Sequence, residues 1–118
     1  MPNVKTTKKV ILQPADTKIG LTIRVTICST ATANDGYIPW GTTVSGVSTR
    51  AFKDGGTTNV ASDLLYSAAT VSGGQDIKVE FKYPATNGEG LYKLSYTLTL
   101  SDGSTKELDF NRIHAIDL

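Results

Sequence analysis

The chain has 118 residues, 39% of them hydrophobic and 19% charged, with a formal net charge of +1. That length supports one packed core, that composition excludes a disordered chain, and that charge balance excludes a globally basic nucleic-acid binder. Cys28 is the only cysteine, so no intrachain disulfide can form and packing alone must hold the fold, as suits a reducing compartment.

In chain order, residues 1–8 read as an arm and 9–118 as one domain. Lys5, Lys8 and Lys9 occur before the first acid, Asp16. Lysines so placed either keep an edge strand soluble or dock on a neighbouring acidic surface. Lys9 to Leu12 is a short apolar run ended by Gln13-Pro14, a first edge-like strand. Leu21 to Cys28 alternates, with Leu21, Ile23, Val25 and Ile27 expected inward and Thr22, Arg24, Thr26 and Cys28 outward or toward a loop. A polar stretch follows, then Asn34-Asp35-Gly36 as a turn and Tyr37-Ile38-Pro39-Trp40. Large apolar residues in an irregular loop either plug the open end of the fold or form a contact patch, which makes Tyr37, Ile38 and Trp40 candidate partner contacts.

Thr42 to Phe52 reads as a strand with a bulge or bend at Gly46. Asp54-Gly55-Gly56 is a turn, and Ser62 to Leu65 is one helical turn or a short crossing segment. Ala68 to Ser72 is a short strand, Gly73-Gly74 turns, and Ile77 to Tyr83 alternates cleanly. The most regular stretch is Leu91 to Leu100. Tyr92, Leu94, Tyr96, Leu98 and Leu100 are expected on the buried face, with Lys93, Ser95, Thr97 and Thr99 on the wet one. Ser101-Asp102-Gly103-Ser104 closes a hairpin to a strand carrying Leu108 and Phe110. Residues from Ile113 onward could extend that strand to Leu118. About seven strands bounded by Gly, Pro, Asn or Asp, with no amphipathic helix, mean an all-β sandwich or small barrel.

Reactive groups are few. Cys28 and His114 are the only thiol and imidazole, without a flanking catalytic signature. The aspartates sit at turn positions and never form a D-x-D-x-D loop, and Gly55-Gly56 and Gly73-Gly74 lack a following lysine and helix. No enzyme, metal or cofactor is expected, nor a nucleic-acid partner. No apolar run reaches the length of a membrane span or a signal-peptide core, so synthesis and assembly in a host or bacterial cytoplasm are expected, and no membrane partner.

Gly88-Glu89-Gly90-Leu91-Tyr92 resembles the turn into strand F of immunoglobulin-like domains, with Gly90 two residues before Tyr92. The resemblance implies a single immunoglobulin-like, fibronectin type III-like β-sandwich without a disulfide, with Gly90 and Tyr92 as a structural corner. The order of features from Val10 to Ile116 also resembles phage fiber–tail adaptor proteins. That implies a phage or prophage virion component whose partners are other virion or tail proteins, with oligomers formed in assembly. A ligand-binding module, using Tyr37 and Trp40 to stack on carbohydrate, is the alternative. No residue argues for a third class, a hydrolase fragment.

Overall fold

The computed structural model describes residues 10–118, for 111 and 112 the backbone alone. Lys5, Lys8 and Lys9 lie outside the described residues. Seven strands and one helical turn follow in order: β1 (Val10–Leu12), β2 (Ile19–Arg24), β3 (Val44–Lys53), α1 (Ala61–Leu64), β4 (Leu65–Ser72), β5 (Asp76–Phe81), β6 (Gly90–Leu100) and β7 (Thr105–Ala115). They form a four-stranded sheet, β1-β7-β6-β3, and a three-stranded sheet, β2-β5-β4. Only β1 pairs in parallel, with β7; the other pairs are antiparallel.

Alternation decides which faces meet. On β6, Tyr92, Leu94, Tyr96, Leu98 and Leu100 are all buried, and Lys93 and Thr99 are exposed. Leu21 and Ile23 of β2 and Ile77, Val79 and Phe81 of β5 join them in one core, so the two sheets pack over a shared apolar layer. Ser95 departs from its expected wet position. It lies between Arg50 and Asp109 in the cross-strand row and is only 4% exposed.

Two irregularities shift the phase. A register shift between Val44 and Gly46 is the bulge that the glycine leads one to expect. On β7, Leu108 and Phe110 are buried at even positions, whereas Ile113 and Ala115 are buried at odd ones. The pairs Tyr92–Ile113 and Leu94–Phe110 show why: β7 uses one more residue than β6 between them. The strand ends at Ala115 rather than at Leu118, and β4 starts at Leu65 rather than at Ala68.

β2 is shorter than its apolar pattern. Its partner β5 begins at Asp76, opposite Arg24. Past that point the chain pairs elsewhere: Ile27 bridges Ile38 in parallel, and the Cys28 N–H donates to the Ile38 carbonyl at 3.0 Å. Leaving the sheet breaks the period of two. Cys28, expected outward or toward a loop, faces the loop and is buried there, its thiol 3.7 Å from the Gly36 carbonyl, while Ile27, expected inward, is only half-buried.

Two core tyrosines give opposite expectations. The Tyr92 hydroxyl donates to the Gly88 carbonyl at 2.7 Å, and burial, with Asp63 and Asp54 nearby, pushes its pKa up to about 12. Among the described residues the Tyr96 hydroxyl is buried without a hydrogen-bond partner. Tyr92→Phe should cost about 0.5–1.5 kcal/mol, while Tyr96→Phe should gain about 1 kcal/mol by removing an orphaned polar atom. Urea melts of the two variants check this, and a loss of stability in Tyr96→Phe would mean that its hydroxyl has a partner.

Candidate functional site

The segment after Cys28 is built to return at once to the strand it left. Asp35 accepts from the Ser29 backbone N–H at 2.9 Å and from the Ser29 hydroxyl at 2.6 Å, and these bonds hold its carboxyl below the usual range. Gly36 then passes so close to the Ile27–Cys28 peptide that a Cβ would lie 2.3 Å from the Cys28 nitrogen. This approach lets the Tyr37 N–H reach the Thr26 carbonyl at 2.9 Å.

The candidate contact residues now part company. Tyr37 is 8% exposed and Ile38 is 0%, so the structure removes both from an exposed contact patch. The Tyr37 hydroxyl donates to the Glu107 carbonyl, the Lys106 ammonium lies 4.8 Å from the ring centroid, and burial raises the hydroxyl's pKa, as do Asp109 and Glu107. Tyr37 and Ile38 both belong to the core cluster. Trp40 does the reverse, with 57% of its surface exposed.

Trp40 sits on a fixed turn. The Thr42 N–H and hydroxyl both donate to the Pro39 carbonyl, at 3.2 and 2.6 Å. Gly41 takes φ 79°, the third-position geometry of a type II turn, which an L side chain strains to reach. Thr43 and Val44 then tie the turn to its neighbours: the Ser101 N–H donates to the Thr43 carbonyl and the Val44 N–H to the Gly74 carbonyl, both at 2.8 Å. The Trp40 turn, the Gly73-Gly74 turn and the Ser101–Ser104 hairpin thus share one end of the molecule. Buried residues hold the indole's backbone from both sides while the ring stays in solvent.

The opposite end holds the corner. Asp54 and Gly55 at φ 50° and 78° turn the chain after β3, and the Asp54 carboxylate accepts from the Leu91 N–H at 2.8 Å. A Cβ on Gly90 would come 2.8 Å from Lys53 Cε and 3.0 Å from Asp54 Oδ2, both side-chain ends that can shift, so the space here does not by itself demand glycine. Nearby, burial alone would raise the Asp63 pKa. The Asn87 N–H and amide and the Thr86 N–H outweigh that and hold the carboxyl below its usual range, with Lys82 assisting. An aspartate depressed in the folded state contributes stability above its unfolded pKa, about 3.9, and loses it as pH falls through the folded value. Asp63→Asn should therefore narrow the gap between urea midpoints at pH 7 and pH 3; an unchanged gap would show that Asp63 is not linked to acid unfolding.

Cys28 lies with the Tyr37 segment beside Glu107, whereas His114 pairs with Leu91 at the far end of β7. About 23 Å of strand separates Glu107 from His114, so the fold does not join thiol and imidazole. Among the described residues, no group of three or more His, Cys, Asp or Glu could hold a metal ion, and no helix is long and apolar enough to cross a membrane. Comparison with protein-family models, with curated proteins and with solved structures gives no match.

Ile11 and Leu91, not among the residues expected at a contact, are 47% and 59% exposed and flank His114 across the outer face of the larger sheet. A signal was present. In Val10-Ile11-Leu12 and Leu91-Tyr92 adjacent apolar residues fall on a period of two, so one of each set must face outward.

Proposed function

We propose that this chain is a non-enzymatic contact module with an immunoglobulin-like fold, and that it binds its partner through the end carrying Trp40. The observation that carries this reading is a large indole, mostly in solvent, on a turn whose backbone is pinned from both sides. A rigid aromatic anchor binds at low entropic cost and is the kind of residue that dominates interfaces. The strand order supports the immunoglobulin-like assignment. β2-β5-β4 corresponds to strands B-E-D, and β7-β6-β3 to G-F-C with the first strand on the G edge. The Tyr92–Gly88 hydrogen bond has the form of a tyrosine corner.

The specific role we propose, a phage or prophage tail component of the fiber–tail adaptor type contacting other virion proteins, rests on the sequence resemblance. Trp40→Ala should leave the folded chain intact while weakening assembly with the neighbouring tail proteins when they are co-expressed. A fall in melting temperature of several degrees would instead make Trp40 a structural residue. Full assembly at an unchanged melting point would remove it from the interface. The same exposed indole keeps a second reading in view, stacking on a neutral oligosaccharide, which would show as sugar-dependent quenching of the single tryptophan's fluorescence.

A further inference from the structure

Four aspartates or asparagines are followed by glycine: Asp35, Asp54, Asn87 and Asp102. With no Cβ on the next residue, its backbone nitrogen can approach the side-chain carbonyl carbon and close a five-membered imide. The fold blocks three of the four. The Gly88 N–H donates to the Pro84 carbonyl at 2.7 Å, and the Asn87 amide is tied to Asp63 at 2.8 Å. The Gly103 N–H donates to the Leu100 carbonyl at 2.9 Å, and the Asp102 carboxylate holds Ser104 twice. Both oxygens of Asp35 hold Ser29, and Gly36 is packed against the Ile27–Cys28 peptide. Asp54-Gly55 escapes through its place in the turn. The two are the central residues of a turn closed by the Gly56 N–H on the Lys53 carbonyl at 2.8 Å. Positive φ at both makes it a type I′ turn, whose closing bond uses the fourth N–H and leaves the third free. Among the described residues the Gly55 N–H meets no acceptor, and both residues are exposed.

We infer that Asp54-Gly55 is the site at which the folded chain converts aspartate to isoaspartate. The Gly55 nitrogen attacks Cγ of the protonated Asp54 carboxyl, the N–Cγ bond forms, and the hydroxyl leaves with the amide proton as water. The Leu91 N–H, 2.8 Å from Oδ1, polarises the carboxyl and keeps that bond as Oδ1 becomes an imide carbonyl. Oδ2 is then the oxygen that leaves. Water opens the imide. Addition at Cγ restores aspartate, whereas addition at the main-chain carbonyl carbon leaves the chain running through Cβ and Cγ, with no net change in mass. The added backbone atom follows directly on the Asp54 N–H, which donates to the Leu91 carbonyl at 2.7 Å, so it disturbs the exit of β3 beside Tyr92. Unfolding inverts the order of the sites. An amide is attacked without prior protonation, unlike a carboxylate, so Asn87 is the faster site once the bonds at the corner are gone.

Peptide mapping of the full chain after ageing at neutral pH tests this, since trypsin leaves the four pairs on separate peptides. Isoaspartate, located by electron-transfer fragmentation, is expected first at Asp54, while Asn87 keeps its amide. In urea the order should invert, with Asn87 converting first. Asp54→Asn retains a side-chain oxygen for the Leu91 N–H and a residue that tolerates positive φ. In the folded chain it should therefore deamidate, and yield isoaspartate faster than the native aspartate does. A folded Asp54→Asn chain whose new amide lasts as long as that of Asn87 overturns the inference. So does isoaspartate that appears first at Asp35 or Asp102 or at none of the four, or Asn87 converting first in the folded chain.

Discussion

Gly36→Ala should destabilise the protein by about 3 kcal/mol or more, the upper range of overpacking effects. A Cβ there would lie 2.3 Å from the Cys28 nitrogen and 2.4 Å from the Ile27 carbonyl carbon. Both are backbone atoms, so no side chain can swing aside. Relief requires the 36–38 segment to move off Thr26–Cys28, breaking the Tyr37–Thr26 and Cys28–Ile38 hydrogen bonds and lifting Tyr37 and Ile38 from the core. Gly103→Ala is the control, since its φ of 88° is strained but a Cβ would meet nothing within 4 Å. It should cost only about 1–2 kcal/mol. Urea denaturation of both variants decides the matter, and a Gly36→Ala loss no larger than that of Gly103→Ala would contradict this close approach.

Leu94→Ala should cost about 2–5 kcal/mol, and Thr97→Ala little. Leu94 is fully buried in the core layer between the sheets, and its neighbours on β3 and β7, Ala51 and Phe110, are themselves buried on paired strands. Such a site cannot collapse easily around a missing isobutyl group. Thr97 is half-buried in the outer polar row with Ser48 and Glu107. For a domain of this size each kcal/mol shifts the melting temperature by about 4 °C, so the two variants separate clearly by calorimetry. Equal shifts would mean that the two faces of β6 are wrongly assigned.

The sequence was most readable where a strand has neighbours on both sides. β6, held between β3 and β7, keeps its alternation through Leu100, and every inward residue expected there is buried. Legibility failed where pairing changed hands. Cys28 falls on the polar phase of β2 and is nevertheless buried, because the chain has already left β5 and met the Gly36–Ile38 segment, a partner that periodicity cannot announce. β7 changes phase because of a one-residue bulge, with no glycine or proline to mark it. In the candidate site, Tyr37, Ile38 and Trp40 look alike as a run of large apolar residues. What separates them is the distance from Gly36 to Cys28 and the turn at Gly41, both tertiary facts. The outward positions of Ile11 and Leu91 were legible too, but only once the inward members of each run were known.

Trp40 stands in solvent on a hydrogen-bonded turn while Tyr37 and Ile38 are buried in the core. Trp40 is the single tryptophan, so its fluorescence reports that position alone. In the folded chain without partners, emission should be nearly as red as that of the urea-unfolded chain, acrylamide should quench it readily, and its anisotropy should be that of an indole fixed to the whole molecule. A blue-shifted, quencher-protected emission would place the indole inside the fold and contradict the claim.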